Sequence, residues 1–470
     1  MKFTKFGKAL LTSALSAGII LGVSSCVQSY STGYLYVTGT ETASTSGNGV
    51  ISGFKIDHNT GYLTPINGLP VSSGGANPSR AVLAVQSRFL YVLNRGVNAS
   101  GGALCTPPGT SPGPCQNANI TQFAVGGNGV LTPQETFYTQ GINPSRMIID
   151  NSGAYLLVLD HDAPDNEAPS STDACARALG GPTTCGDVTV FQINQLTGRL
   201  SLETNAQVTS AVGSSTPLTY FPVPVNPVDF AMTGTYLMTL SGNPTFSLAN
   251  YSYNPITNAY SGGTSVFPYQ FTPASGQLQL TSNSSQPLGI KQGNAIYYTF
   301  NVAYVLANDS ATISFNGSPE VAQSQILPFS VGSNGGLQAE AVGNIPDDPT
   351  LANPITILEE QKGKFVYVAN QGNNTSGANA ESGISGYYVL TLPTYQISFI
   401  AGQPFGSGAG PQCMVEDPSQ QFIYEADFND SLVYGRVLDP NSGVLNLMRN
   451  SKGFAVPGPA TWCLVDGRTF

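Results

Sequence analysis

The sequence predicts an all-β protein, a seven-bladed β-propeller with four-stranded blades in which the C-terminal strand closes the first blade. Two repeated phrases support this prediction. The first is a small polar residue followed by Gly, any residue and Leu, and it stands at Thr60–Leu63, Asn128–Leu131, Thr197–Leu200, Ser275–Leu278, Asn334–Leu337 and Ser442–Leu445. The second is Asn-Pro or Gly-Pro before an apolar run, and it begins at Asn77, Asn143, Asn226, Asn353, Gly410 and Gly458. Gly supplies the positive φ of a tight turn, and Pro fixes φ where the chain re-enters the centre.

Short apolar strands separated by turn residues run between these phrases. The unit from Asn77 to Gln134 contains four of them, and one unit, around Pro393–Tyr395, keeps its strands without the Gly-x-Leu phrase. The second strands of the units are Tyr34–Thr38, Phe89–Leu93, Tyr155–Leu159, Tyr236–Leu240, Ala303–Ala307, Phe365–Ala369 and Phe422–Ala426. Seven repeats of four strands are typical of a seven-bladed propeller.

The two ends of the repeat array complement each other. The first unit begins at its second strand, near Tyr34, and the chain finishes with a spare inner strand, Gly458–Asp466. Pairing of these ends completes the first blade and removes an open sheet edge. The predicted organisation is therefore a signal segment at residues 1–25, a tether at 26–33 and one propeller at 34–470.

Composition excludes several classes of function. Charged residues make up only 9% of the chain, and removing Lys2, Lys5 and Lys8 with the signal segment takes the net charge from −10 to −13. Nucleic acid is a poor partner for so acidic a protein. The sequence contains no Gly-rich phosphate loop, no metal-type Cys pair and no Gly-x-Ser-x-Gly motif, so neither a cofactor nor a metal is predicted.

The N-terminus has the pattern of an exported protein. A basic stretch, Lys2–Lys8, precedes an apolar run, Ala9–Val23, that is too short to span a bilayer comfortably. The following Val23–Cys26 resembles the lipobox of bacterial lipoproteins, in which Cys26 becomes the lipidated first residue. This resemblance implies an extracytoplasmic, membrane-anchored protein of the cell envelope. The alternative is an ordinary secretory peptide cleaved after small residues.

Six cysteines remain after Cys26, an even number in an oxidising compartment. Cys105 and Cys115 lie in one insertion with nine residues between them, and Cys175 and Cys185 repeat that spacing in the next insertion. Each pair is predicted to form a local disulfide, with free thiols as the alternative.

The last two cysteines are predicted to link the ends of the ring. Cys413 stands eleven residues before Tyr424, as Arg80 stands eleven before Tyr91, and Cys463 follows Gly458 in the terminal inner strand. A Cys413–Cys463 disulfide would join the last blade to the closing strand, provided that the Cα atoms lie within roughly 4.4–6.8 Å. A reactive thiol pair is the alternative.

Long insertions follow the second strands, and we expect all of them on one face. They are Val97–Asn119, His161–Asp187, Ser241–Thr264, Asp309–Gln323 and Gln371–Ser382. Alternate turns of a blade lie on opposite faces, and insertions concentrated on one face of a repeat protein mark a binding face. The partner expected there is a small molecule, a glycan or a protein.

The candidate binding residues lie at the mouth of the central channel. Counted from the Asn or Gly of successive Asn-Pro or Gly-Pro phrases, the fourth residue is Arg80, Arg146, Asp229, Thr356 and Cys413. Cys463 is expected at the matching place of the last strand. Guanidinium groups of Arg80 and Arg146 suit a carboxylate or phosphate ligand. Alternatively, each arginine pairs with a neighbouring carboxylate such as Asp229.

His161 is the candidate acid or base. It lies between Asp160 and Asp162 at the end of a second strand, where the carboxylates could raise its pKa. Structural pairing at the strand end is the competing interpretation for all three residues.

The repeat resembles that of the seven-bladed propeller lactonases, the 6-phosphogluconolactonase-like and carboxymuconate cycloisomerase-like proteins, over roughly Tyr34–Asp466. The resemblance implies a propeller and, in the family's enzymes, lactone chemistry with a His-rich phrase and an Arg-His phrase. Here the matching positions hold Asn143–Arg146 without His, and Lys291 without Arg or His. Two hypotheses follow: a propeller that binds a ligand or partner, or a lactone-ring hydrolase with a remodelled site in which His161 activates water.

Overall fold

The computed structural model describes residues 30–41, 47–102, 115–164, 170–179, 184–242, 252–254, 259–261, 263–280, 286–299, 301–315, 318–340, 342–372, 381–390, 397–449 and 452–467. Within them the chain forms seven antiparallel sheets of the blade type, with almost no helix. The predicted seven-bladed propeller is confirmed. The predicted signal segment and Cys26 lie outside the described residues. The first strand begins at Ser31 and so includes the end of the predicted tether.

Each blade runs outward from the channel in four strands. From inner to outer they are, in blade 1, Ala460–Asp466, Ser31–Thr40, Asn48–Asp57 and Leu63–Pro65; in blade 2, Pro78–Ala84, Phe89–Asn94, Asn119–Val125 and Leu131–Phe137; in blade 3, Ile142–Ile149, Tyr155–Asp162, Gly186–Ile193 and Leu200–Leu202; in blade 4, Pro227–Thr233, Tyr236–Ser241, Ser265–Thr272 and Gln277–Leu280. In blade 5 they are Gly293–Thr299, Val302–Ala307, Gln325–Val331 and Leu337–Ala339; in blade 6, Pro354–Glu359, Phe365–Asn370, Gly383–Val389 and Ile397–Phe399; in blade 7, Pro411–Glu416, Phe422–Asp427, Leu432–Leu438 and Leu445–Leu447.

Short additional elements decorate the blades. Strands paired to a third strand are Val71–Ala76, Phe221–Val223, Gln286–Pro287, Ile345–Pro346 and Phe454–Ala455. Separate hairpins are Asn205–Thr209 with Pro217–Leu218, Ser252–Asn254 with Ala259–Ser261, and Ala311–Phe315 with Ser318–Ala322. One helix, Ala174–Leu179, lies in the blade 3 insertion. The long connections join second to third strands in blades 2 to 6, as predicted.

The ring closes through the predicted pairing of the two ends. Ala460–Asp466 pairs antiparallel with the first strand, from Tyr34 opposite Asp466 to Gly39 opposite Ala460. Cys413 and Cys463 form the predicted disulfide across this closure, with their Cα atoms 5.9 Å apart. Cys175 and Cys185 also form their predicted disulfide.

The Cys105–Cys115 pairing is described only at one end. Cys115 is disulfide-bonded, and Cys105 lies outside the described residues.

The Gly-x-Leu phrase turns out to hold neighbouring blades together. Its glycines have φ between 65° and 80°, at Gly61, Gly129, Gly198, Gly276, Gly335 and Gly443. A tyrosine in a second strand donates its hydroxyl hydrogen to a phrase glycine of the next blade, in the pairs Tyr36 to Gly129, Tyr91 to Gly198, Tyr367 to Gly443 and Tyr424 to Gly61. The last pair again joins blade 7 to blade 1.

Gly198→Ala is expected to destabilise the propeller more than Gly153→Ala. Both glycines have positive φ, 70° and 73°, but a Cβ at Gly198 would lie 2.6 Å from the Phe89 ring, whereas nothing lies within 4 Å at Gly153. Backbone strain and overpacking together should cost Gly198→Ala on the order of 3 kcal/mol, and strain alone should cost Gly153→Ala about 1 kcal/mol. Chemical denaturation of both variants measures the difference. Equal losses would contradict the blade-joining role of the phrase.

Candidate functional site

A β-bulge at the start of each inner strand sets the residues at the channel mouth. The register shifts between Pro78 and Arg80 in blade 2 and between Pro411 and Cys413 in blade 7, and equivalent shifts occur in the other blades. Five of the residues before these strands adopt left-handed φ, namely Asn77, Asn143, Asn226, Asn353 and Gly410. A bulge changes the direction of the side chain that follows it. The residues after the seven bulges therefore form one ring around the channel mouth.

These seven positions, from blade 1 to blade 7, are Trp462, Arg80, Arg146, Asp229, Ala295, Thr356 and Cys413. The assignment follows from their partners in the second strands, because Trp462 pairs with Thr38 as Arg80 pairs with Leu93. The expectation that Cys463 occupies the matching place was wrong. Cys463 pairs with Val37, so it lies one residue beyond Trp462 along the closing strand.

A cavity of about 610 Å³ opens at this mouth on the insertion face. Its lining is Thr40, Asn77, Pro78, Ser79, Arg80, Arg95, Cys115, Ser145, Arg146, Gln412, Phe428, Pro459 and Thr461. The structure thus brings the two predicted arginines together and adds Arg95, which sequence reasoning missed. Arg95 directly follows the second strand of blade 2, and its position beside a long insertion was the only available signal.

Arg80 is a buried cation without a carboxylate partner. Its guanidinium carbon lies 3.6 Å from the centre of the Trp462 ring, a cation–π contact. Among the described residues this guanidinium takes part in no ion pair. Burial and, secondly, the positive charge of Arg146 lower the pKa of Arg80 to about 9, so the side chain is still a cation at neutral pH.

Arg146 makes the carboxylate pair that the alternative interpretation anticipated. Its Nε donates to Asp229 Oδ1 at 3.0 Å, and Asp229 Oδ2 accepts the backbone N–H of Ile296, also at 3.0 Å. Asp229 therefore joins blades 3, 4 and 5, and both of its oxygens are occupied. Arg146 Nη1 donates to the Ser145 carbonyl at 3.2 Å, and 25% of the Arg146 side chain is accessible.

Arg95 contributes a third guanidinium. Its Nη2 donates to Asn143 Oδ1 at 2.5 Å, whereas its Nε is buried without a hydrogen-bond partner among the described residues. Burial, followed by the charge of Arg146, lowers the pKa of Arg95. Three guanidinium groups and one carboxylate therefore meet at the mouth.

The blade 3 histidine does not join them. His161 Nδ1 lies 3.0 Å from Asp162 Oδ2, and neither residue lines the 610 Å³ cavity. Asp160 is fully buried, and its Oδ2 accepts the hydroxyl hydrogen of Thr189 at 3.2 Å. Burial raises the pKa of Asp160 to about 7. These three residues therefore form a local group in blade 3, apart from the arginines.

A second cavity of about 260 Å³ lies farther along the channel and shares Arg80 and Arg146 with the first. Its remaining lining is Met147, Ile148, Ile149, Asp229, Phe230, Ala231, Met232, Ile296, Tyr297, Tyr298 and Trp462. Most residues that line the first cavity are polar, whereas most that line the second are apolar.

The described part of the chain contains neither a metal-type cluster nor a helix suited to a membrane. No group of three or more His, Cys, Asp or Glu side chains is placed to hold a metal ion there. No helix in those residues is long and apolar enough to cross a membrane.

The fold and the channel site define a class, the seven-bladed propeller with an elaborated face over an arginine-lined mouth. Residues 27–166 match the sequence model of the family described as "Lactonase, 7-bladed beta-propeller", which spans blades 1 and 2 and enters blade 3. This match covers less than half of the chain, which is therefore similar to the lactonase-family propellers over these residues. No curated protein matches its sequence significantly.

Solved structures share the fold at low sequence identity. A candidate 6-phosphogluconolactonase from Bacteroides uniformis is 15% identical, with a TM-score of 0.58 over 92% of this chain and 99% of its own. The periplasmic gluconolactonase PpgL of Pseudomonas aeruginosa is 18% identical, with a TM-score of 0.58 over 92% and 98%. A protein from Lactobacillus plantarum is 15% identical, with a TM-score of 0.55 over 92% and 99%. At such identities the likeness shows the fold alone.

Proposed function

We propose that this protein is a binding propeller that captures an anionic small molecule at the arginine-lined mouth of its channel. The observation that carries the proposal is the buried Arg80 guanidinium, which makes no ion pair among the described residues and borders a 610 Å³ cavity. A buried cation costs free energy unless an anion compensates it. An acidic chain that keeps such a group in a cavity therefore favours an anionic ligand.

The charge balance supports an anion of one or two charges. Arg80, Arg95 and Arg146 contribute three positive charges, and Asp229 neutralises one of them through its pair with Arg146. Planar guanidinium groups bind carboxylates and phosphates through paired N–H donors. Sugar acids and other small carboxylates fit this arrangement.

The described lining supports binding over lactone hydrolysis. None of the described residues bordering the 610 Å³ cavity is a His, Asp, Glu or Lys, so the lining offers no general base. His161, the candidate base, is paired with Asp162 outside that cavity. Hydrolysis remains the alternative function because structurally similar proteins include a periplasmic gluconolactonase. Acceleration of glucono-δ-lactone hydrolysis by the purified protein would favour this alternative.

Arg80→Gln is expected to weaken binding of D-gluconate or 6-phosphogluconate by about 10- to 100-fold. One hydrogen-bonded charge interaction contributes roughly 1.5–3 kcal/mol, which corresponds to that range. Isothermal titration calorimetry on the mature protein measures the change. Arg199→Gln is the matched control, because Arg199 pairs with Glu135 at an exposed site and should leave affinity unchanged. Equal binding by the two variants would overturn the proposal.

We further propose that the propeller is held on an extracytoplasmic membrane surface by lipid on Cys26. The Val23–Cys26 pattern and the even count of remaining cysteines support this location. Cys26→Ser should move the protein from the membrane fraction to the soluble fraction without lowering its Tm, because Cys26 precedes the first strand. Fractionation followed by immunoblotting tests it, and unchanged membrane association would refute the anchor.

A further inference from the structure

The two cavities that share Arg80 and Arg146 are lined by different types of residue. On the insertion face the lining is mostly polar, with Asn, Ser, Thr, Gln and Arg side chains. Beyond the arginines the walls come from the inner strands of blades 3, 4 and 5 and from Trp462 of the closing strand. Apart from the tyrosine hydroxyls, the polar side chains there are Arg80, Arg146 and Asp229 at one end.

The polar side chains where the two cavities meet differ in whether their hydrogen-bonding atoms are already used. Asp229 accepts from Arg146 and from the Ile296 backbone, so it offers no free oxygen to a ligand. Tyr297 donates its hydroxyl hydrogen to Thr356 Oγ1 at 3.0 Å, so its ring forms the wall. Among the described residues the Arg80 guanidinium makes no ion pair, and the two arginines with Asp229 leave one net positive charge.

The volume of the apolar cavity limits the size of the group that it can hold. An apolar protein cavity of about 150 Å³ takes one benzene ring, so a cavity of 260 Å³ takes one substituted ring or a medium-length acyl chain. Ile148 and Met232 on its walls are only partly buried, so they present apolar surface to the cavity. The hydroxylated body of a sugar acid would gain no binding free energy from this apolar cavity.

Resting on the anion-binding function proposed above, we propose that the ligand is an amphipathic monocarboxylic acid. Its carboxylate meets Arg80, and its aromatic or aliphatic body fills the 260 Å³ cavity against Trp462. The ligand class is therefore narrower than that of a general anion site, because affinity requires both the single charge and the apolar body.

Trp462 provides a direct measurement, because it is the only tryptophan in the chain and contacts both Arg80 and the apolar cavity. The mature protein is titrated with 3-phenylpropanoate, octanoate, D-gluconate and the uncharged 3-phenylpropanol, with tryptophan fluorescence and calorimetry as readouts. We expect one of the two apolar acids to bind at least tenfold more tightly than gluconate and the alcohol, with a change in Trp462 emission. The better of the two acids distinguishes an aromatic from an aliphatic body.

Two variants separate the compartments. Ala231→Leu fills part of the apolar cavity. It should weaken binding of the apolar acid at least tenfold and change the affinity for gluconate by less than twofold. Ile148→Ser tests the same wall without added bulk and should act in the same direction. Arg80→Gln should weaken binding of every acid and leave binding of the alcohol unchanged.

The outcomes distinguish the two proposals. Equal affinities for gluconate and the apolar acids, all reduced by Arg80→Gln, would overturn the amphipathic ligand and leave the anion site standing. Apolar acids that bind equally well to Arg80→Gln would overturn both, as would the absence of binding by every probe.

Discussion

Deletion of residues 458–470 is expected to abolish cooperative unfolding of the whole propeller. The deletion removes the inner strand of blade 1 and leaves Tyr34–Gly39 as an open edge along the channel. It also removes Trp462, Leu464 and Val465 from the packing between blades 7, 1 and 2. Each of these half-buried side chains contributes about 1–2 kcal/mol.

The loss of the Cys413–Cys463 disulfide adds to this effect. The chain-entropy estimate for a bridge across a sequence separation of 50 residues is about 4 kcal/mol. The combined loss approaches the roughly 5–15 kcal/mol that separates folded from unfolded states in ordinary proteins. Thermal unfolding followed by circular dichroism should therefore show no cooperative transition in the truncated chain.

The matched control is the full-length double variant Cys413→Ser/Cys463→Ser. It loses the same disulfide and keeps the closing strand, so it should unfold cooperatively with a free energy of unfolding about 4 kcal/mol lower than that of the parent. If truncation leaves the melting curve of this double variant unchanged, the ends of the ring do not stabilise each other.

Lowering the pH from 8 to 5 is expected to raise the Tm by several degrees. Burial raises the pKa of Asp160, Glu359 and Glu416 to about 7. Burial, with the charges of Glu425 and Asp430, raises the pKa of Asp427 to about 10. Both Asp427 oxygens lack hydrogen-bond partners among the described residues, so nothing there favours the ionised form.

The direction follows from proton linkage. Between the ordinary pKa values of 3.8 or 4.5 in the unfolded chain and the raised values in the folded chain, the folded state binds more protons. The stabilisation that these carboxyl groups contribute is therefore fully present below about pH 4 and is lost as the pH rises through about 7. For Asp427 the loss continues as the pH rises toward 10. Many proteins behave in the opposite way, because their paired carboxylates stabilise only when ionised.

Asp427→Asn and Asp160→Asn should raise the Tm at pH 8 and flatten its dependence on pH, because the amide mimics a neutral carboxyl. Asp439→Asn is the control: hydrogen bonds from Asn441 and Ser442 lower the pKa of Asp439, so this variant should not flatten the profile above pH 5. A Tm that falls steadily from pH 8 to pH 5 in the parent protein would contradict the prediction.

The blade count, ring closure and Cys413–Cys463 disulfide were predictable from the sequence because they depend on local turn chemistry and on counting. A positive-φ glycine such as Gly198 or a proline such as the one after Asn77 marks a boundary that repeats in most of the seven units. The first unit lacks its inner strand and the C-terminus carries a spare one, so pairing of the two ends completes the ring. The insertions on one face follow from the same count.

Only the tertiary structure decided which side chains meet. Trp462, opposite Thr38, takes the ring position where Cys463 was expected, because the register of the closing strand is set by pairing with a strand from the other end of the chain. Arg146 finds Asp229 across 83 residues of sequence, and Arg95 reaches the cavity from a loop whose direction no local pattern specifies. The apolar compartment below them exists because inner strands of blades 3, 4 and 5 converge on Trp462, and such convergence has no signature along the chain.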